Sequence, residues 1–218
     1  MGVVAVTALA FEARIARGAG VSVLCHSAAD LPAALTRAIE RGVSGIISFG
    51  IAGGLAQHLS AGDWVVATAV RSGDDVIETD RAWSKRLIDA LRGAIPADLV
   101  GVDALMLDRS VRDAFFARIR GAAVDMESHV AAKIARRHGV PFAACRVIAN
   151  AAHRSLPAAA GVGLRSNGKP NLRAVFNSIR KEPRQLPDLM RLAFDTHVAR
   201  RALRSGRQKL GAALAFPY

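Results

Sequence analysis

Short apolar runs alternate with amphipathic stretches along most of the chain. Val3 to Ala8, Val21 to Cys25, Gly45 to Phe49, Asp63 to Val70, Leu99 to Val102, the run from Ala123 that delivers Asp125 and Glu127, and Phe142 to Ala149 have strand character. Between them lie helix patterns. Phe11 to Arg17 opens the first, and Leu31, Ala34, Leu35, Ala38 and Ile39 recur at helix spacing behind Asp30 as a cap and ahead of Gly42 as a stop. Asp80 to Leu91, Ser110 to Ile119 (Val111, Phe115 and Ile119 on one face) and Ser128 to His138 repeat the pattern. The alternation predicts an α/β protein with helices packed on a largely parallel sheet. Residues 151–170 gather Pro, Gly, Ser and Asn and are expected to form a mobile loop. Two amphipathic helices follow, around Leu172–Lys181 and Leu186–Arg204. Their apolar faces, Leu172, Val175, Phe176, Ile179 and then Leu186, Leu189, Met190, Phe194, are expected to pack on the sheet or line a substrate mouth. Arg180, Lys181, Arg184, Arg200, Arg201 and Arg204 are then left toward solvent. No internal repeat is present.

Composition narrows the class. With 218 residues, 51% of them hydrophobic and 5% aromatic, the chain fits one domain, 1–218, with an aliphatic core. The N-terminal Met1 to Val6 is apolar but has no basic leader, so it reads as a first strand. No apolar run approaches the roughly 18 residues of a membrane span, and a soluble, cytoplasmic protein is expected. Cys25 and Cys145 stand in separate apolar runs and are expected to be free thiols. The six histidines show no metal spacing, and no metal or cofactor is expected. The net charge of +12 is uneven: residues 165–209 hold twelve basic residues against Glu182, Asp188 and Asp195, leaving +3 for the rest. This basic helical C-terminal region, 171–209, needs its own explanation.

Charged groups inside apolar surroundings mark the candidate chemistry. One apolar run delivers Asp125, Met126 and Glu127 just before a helix, and another carries Arg146 and ends at Asn150. Strands that end at polar groups are how an α/β sheet presents ligand-binding residues. Glu127 can either face a ligand or cap the Ser128 helix. Arg146 needs an acidic partner, because an unpaired buried guanidinium is costly; a structural ion pair with Glu127 or Glu12 and a role in a site are compatible. Glu12, just past the first strand, reads on its own as a solvated first-turn acid. In Gly50-Ile51-Ala52-Gly53-Gly54 the glycines allow close backbone approach to a ligand after a strand ending at Phe49.

The runs Val124 to His129, Ala10-Phe11-Glu12-Ala13-Arg14 and Ser48 to Gly54 together resemble the nucleoside phosphorylase and nucleosidase family, which cleaves the bond between a base and its ribose. The resemblance implies a three-layer phosphorylase/hydrolase-like fold, a central mixed, largely parallel twisted sheet flanked by helices, and a homo-oligomer. It implies that Glu127 grips the ribose hydroxyls with Met126 packed against the sugar. Glu12, as in the methylthioadenosine/adenosylhomocysteine nucleosidase branch, would be the general base, and Glu12, Arg14 and Arg146 would line the nucleophile pocket. Asn150, where the family usually has aspartate, would hold the base together with Gly53, Leu105 and Met106. Asparagine can hydrogen-bond a purine but cannot supply a proton. Asn171 to Val175 and Arg184 to Pro187 extend the resemblance to the hopanoid-associated phosphorylase branch, implying adenine release from adenosylhopane.

The nucleophile stays open at this point. The branch implies phosphate as co-substrate. The pocket chemistry leans toward water, because Glu12 repels an anion and Ile51 lacks the hydroxyl the family often has there. The basic C-terminal region fits association with the inner membrane surface and a lipid-linked nucleoside, or a solvated arginine-rich face. A nucleic-acid-binding protein on this fold is a further reading. It is disfavoured because residues 165–209 interleave only Phe176 and Phe194 with the charges.

Overall fold

The computed structural model describes residues 2–26, 29–104, 108–119, 121–154, 156–162 and 171–218. Its strands are β1 (Val3–Thr7), β2 (Val21–Cys25), β3 (Gly45–Gly54), β4 (Trp64–Ser72), β5 (Asp75–Glu78), β6 (Ile95–Gly101), β7 (Ala123–Asp125) and β8 (Phe142–Asn150). Its helices are α1 (Ala10–Ala16), α2 (Leu31–Glu40), α3 (Arg81–Ala90), α4 (Arg109–Ile119), α5 (Ser128–His138), α6 (Ala158–Val162), α7 (Leu172–Lys181) and α8 (Leu186–Lys209). The sheet is mixed. β1 is parallel to β2 and β3, β3 to β8, β4 to β6 and β6 to β7, whereas β3–β7, β4–β5 and β4–β8 are antiparallel. The pairings β3–β7–β6–β4–β8–β3 close a circuit, from which β1, β2 and β5 extend. Register shifts at Ala52/Gly53 of β3 and Ala67/Val70 of β4 let these long strands pair with different neighbours along their lengths.

Side-chain alternation along the strands builds a core on each face. Val4, Val6 and Ile46 meet Leu31 and Leu35 of α2 and Ala131, Ala132 and Ala135 of α5. Val3, Ala5, Ile47 and Phe49 meet Ala16 of α1, Trp83 and Leu87 of α3, and Ala199 and Leu203 of α8. The central sheet flanked by helices is the architecture expected from the alternation. Cys25 is half-buried and Cys145 buried, and both are free thiols.

Four expectations are corrected. The third strand does not end at Phe49: β3 runs on through the glycines to Gly54, because β8 and β7 take up its backbone groups on either side. The segment after Asn150 contains α6, although residues 155 and 163–170 lie outside the described ones. The apolar faces of α7 and of the first half of α8 are not packed on the sheet: Leu172, Phe176, Leu186, Met190 and Phe194 are exposed. Arg200 is half-buried, its guanidinium 5.4 Å from the centre of the Phe11 ring, and does not face solvent freely.

Candidate active site

Glu12 is wholly buried in the first turn of α1, where its carboxylate folds back on the chain. Oε2 accepts hydrogen bonds from the N–H groups of Ala8 (2.9 Å) and Leu9 (2.8 Å), and Oε1 accepts one from Ile51 N–H (2.7 Å). One carboxylate thus fastens the β1–α1 turn to β3. Arg146 lies in β8 opposite Gly50 of β3 and Val65 of β4 and is also fully buried. A Cβ at Gly50 would stand 2.5 Å from Glu12 Oε1 and 2.7 Å from Arg146 Nη1. Glycine there leaves the room that the two charges occupy.

The Arg146 guanidinium is engaged on all sides. Nη2 donates to Ser48 Oγ at 2.5 Å and lies 3.5 Å from Glu127 Oε2, while Nη1 donates to Ile51 O at 3.4 Å. Nε is 2.7 Å from Asp125 Oδ2, an ion pair whose N–H is not aligned for a straight hydrogen bond. Asp125 also caps α5, accepting from the N–H groups of Glu127 (3.2 Å) and Ser128 (2.9 Å) and from the Ser128 hydroxyl. That division of labour matters: Asp125 does the capping, so the Glu127 side chain makes no capping bond and remains available.

Three carboxyl groups therefore crowd around one guanidinium in a buried volume. Burial pushes Glu127 up to about 7 against the pull of Arg146, and the charges of Asp125 and Glu12 add to the rise. Burial likewise raises Glu12, opposed by Arg146 and by the backbone N–H groups it accepts. Desolvation pulls Arg146 down, but its three acidic neighbours outweigh it and hold the guanidinium charged.

Asn150 ends β8 opposite Gly53 of β3, which also pairs with Val124 of β7. The strand pairing thus draws Gly53, Asn150 and the Asp125–Glu127 corner together. Among the described residues, the buried Asn150 Nδ2 has no partner. Such a donor costs about 1–3 kcal/mol unless an acceptor arrives, and a ring nitrogen of a ligand would be one. Met126 is half-buried beside Glu127. Leu105 and Met106 lie outside the described residues. Arg14 is not brought to the cluster: it is exposed on α1, on the side away from Glu12.

Sequence reasoning left out Asp125 as a partner of Arg146, together with Ser48 and Ser128, which donate and accept within the same network (Ser128 Oγ to Ser48 Oγ, 2.8 Å). The available signals were an aspartate three residues before a helix serine and a lone hydroxyl inside the apolar run Ile46–Phe49. His129, given no catalytic part, is buried with Nε2 3.1 Å from Asp103 Oδ1. A Cβ on Gly101 would collide with its imidazole. A cavity of about 540 Å³ between the β4–β5 turn (Arg71 to Asp74) and the Gly101 to Asp103 stretch is lined by none of the cluster residues.

The family model described as the phosphorylase superfamily matches residues 18–162. A search of curated proteins by sequence finds no match. Among solved structures, native futalosine hydrolase of Helicobacter pylori is similar with a TM-score of 0.66 at 15% identity, over 96% of this chain and 98% of that one. The 5'-methylthioadenosine/S-adenosylhomocysteine nucleosidase of the same organism, with butyl-thio-DADMe-Immucillin-A, gives 0.65 at 16% over 96% and 99%. The corresponding nucleosidase of Colwellia psychrerythraea, in complex with adenine, gives 0.62 at 18% over 69% and 83%. At these identities the likeness is one of fold.

Proposed function

The chain belongs to the phosphorylase superfamily, the nucleoside phosphorylases and nucleosidases that its sequence resembles, and we propose that it cleaves the N-glycosidic bond of a purine nucleoside with water as nucleophile. The observation that carries this reading is the buried cluster of Glu12, Asp125 and Glu127 around Arg146. Breaking an N-glycosidic bond builds positive charge on the sugar, and a preorganised excess of carboxylates stabilises such a transition state. The same excess repels phosphate. Arg146 is taken up by its acids and Arg14 is exposed, so neither supports an anion site. In this reading Glu127 binds the ribose hydroxyls, Glu12 takes the proton of the attacking water as the C–O bond forms, and the Asn150 Nδ2 gives a hydrogen bond to the purine, which leaves with the C–N bonding pair and takes its proton from solvent.

The specific substrate proposed is adenosylhopane, with adenine as the released base, on the strength of the C-terminal stretches Asn171–Val175 and Arg184–Pro187. A second reading, hydrolysis of a water-soluble adenine nucleoside such as 5'-methylthioadenosine, is favoured by Glu12 and the Met126-Glu127 pair alone. The test is adenine release from each substrate with and without phosphate, the sugar product being identified by mass. Free sugar in phosphate-free buffer is expected. A strict phosphate requirement with a sugar 1-phosphate product overturns the choice of water. Turnover of methylthioadenosine but not adenosylhopane selects the second reading.

A further inference from the structure

Among the described residues, five of the eight exposed large hydrophobic side chains stand on two helices. Leu172 and Phe176 of α7 are 72% and 65% exposed; Leu186, Met190 and Phe194 of α8 are 47%, 68% and 67% exposed. The three on α8 follow at four-residue spacing and form one stripe. The stripe continues along the same side of the helix into exposed His197, Arg201 and Arg204.

The face is held outward by what lies behind it. Asp195, Ala199, Leu203 and Gly206 bury the opposite side of α8, with Ala199 and Leu203 in the core and Asp195 paired to Arg154. At the corner between the helices, buried Gln185 donates from Nε2 to Ser178 O (2.9 Å) and Oγ (3.0 Å) and accepts from Ala159 N–H (2.9 Å). These bonds tie α6, α7 and α8 into one support, so the exposed side chains cannot simply turn inward.

We propose that this face docks the protein on an anionic lipid surface, with Leu172, Phe176, Leu186, Met190 and Phe194 entering the headgroup boundary. Charge complementarity selects that occupant. Residues 171–194 carry five basic side chains, Arg173, Arg180, Lys181, Arg184 and Arg191, all exposed, against Glu182 and Asp188. A second copy meeting this face across a two-fold axis would set like charge against like charge, whereas an anionic bilayer attracts every one of them. No helix among the described residues is long and apolar enough to cross a membrane, so contact through this face is interfacial. The inference is independent of which nucleoside is cleaved.

Flotation of the full chain with phosphatidylglycerol-containing or pure phosphatidylcholine vesicles tests it. Binding to the anionic vesicles alone is expected, with release as salt screens the charges. A Phe194→Trp reporter should shift its emission to the blue on binding. Met190→Ser with Phe194→Ser should weaken partitioning about tenfold or more through lost apolar insertion. Arg180→Gln, Arg184→Gln and Arg191→Gln together should weaken it comparably and flatten its salt dependence. All variants should keep wild-type turnover of a water-soluble nucleoside, which separates this result from any failure of the catalytic reading. No vesicle binding, or binding indifferent to Met190 and Phe194, overturns the proposal; so does a dimer that Phe194→Glu dissociates, which assigns the face to self-association.

Discussion

The carboxylate cluster and the α7–α8 face are inversions of each other. In the first, charged side chains sit where β1, β3, β7 and β8 are otherwise apolar; in the second, apolar side chains sit outside among arginines. Both arrangements oppose the usual partition, and each is held in place by its neighbours. Asp125, Ser48 and backbone N–H groups support the buried charges, and Gln185 and the Asp195 side of α8 support the exposed apolar ones. A group kept where its own solvation disfavours it points to a ligand or surface that completes it. Under the two proposals, that completion is a cation forming in the site for the cluster and a partner that excludes water for the face.

Removing the centre of the buried inversion should have the largest effect. Arg146→Met keeps much of the apolar stem but leaves Glu12, Asp125 and Glu127 without their cation. Breaking a buried pair in this way costs about 3–5 kcal/mol, and at roughly 2–4 °C per kcal/mol for a chain of this size the unfolding midpoint should fall by about ten degrees. Thermal unfolding followed by circular dichroism measures this. An unchanged midpoint would mean that the three acids are already neutral and that the cluster is not charged as described.

Glu127→Gln should spare the fold and reduce base release by about a hundredfold or more, since it removes charge matched to the transition state but keeps the shape. The pH dependence gives a second readout. Glu127 in the folded protein holds its proton up to about 7, against 4.5 in the open chain. Its contribution to stability is therefore fully present below about pH 4.5 and is lost as pH rises through about 7. The wild-type midpoint should decline across that window, and Glu127→Gln should flatten the decline. Activity should move the opposite way, kcat/KM rising through about 7 as the carboxylate forms. Because Glu12 is held by the same guanidinium, the observed midpoint belongs to the cluster.

The buried inversion was more legible in the sequence than the exposed one. Glu12, Glu127, Arg146 and Asn150 stand out because each interrupts or ends an apolar run, and strand periodicity places such runs in a sheet whatever its topology. Arg14 shares a segment with Glu12, but a two-residue offset on a helix sends it to the other side. Asp125 was visible as a residue but not as the capping group that frees Glu127, because that depends on where the Ser128 helix begins in space. The spacing of Leu186, Met190 and Phe194 identifies a face but not what the face meets, so the same pattern serves a core or a surface. β5, four residues between the tight turn at Gly73 (φ +59°) and α3, is too short for a pattern.

Asn150→Asp sharpens the chemistry at the edge of the cluster with a smaller effect. Burial raises a carboxyl group, so the new acid would hold its proton to higher pH and could pass it to a departing purine. Turnover should rise severalfold or its optimum shift to lower pH, as tuned carboxyl groups permit. A collapse of activity would show instead that the amide, donating through the unpartnered Nδ2, is what holds the base.

The smallest expected change is the one that most directly divides the two regions. On α8, Leu203 is fully buried in the core, whereas Phe194, nine residues earlier on the outward side, is 67% exposed. Leu203→Ala should cost about 2–5 kcal/mol through lost burial and an unfilled cavity. Phe194→Ser and Met190→Ser removes more apolar surface in total, but each change should stay within about 0.5 kcal/mol because the side chains touch little in the free protein. Unfolding of the three proteins in vesicle-free buffer compares them directly. A Phe194→Ser midpoint as low as that of Leu203→Ala would place Phe194 in a packed interface and remove the contrast between the helix's two sides. An unchanged midpoint, together with lost vesicle binding, would mean that stability and docking reside on opposite faces of one helix.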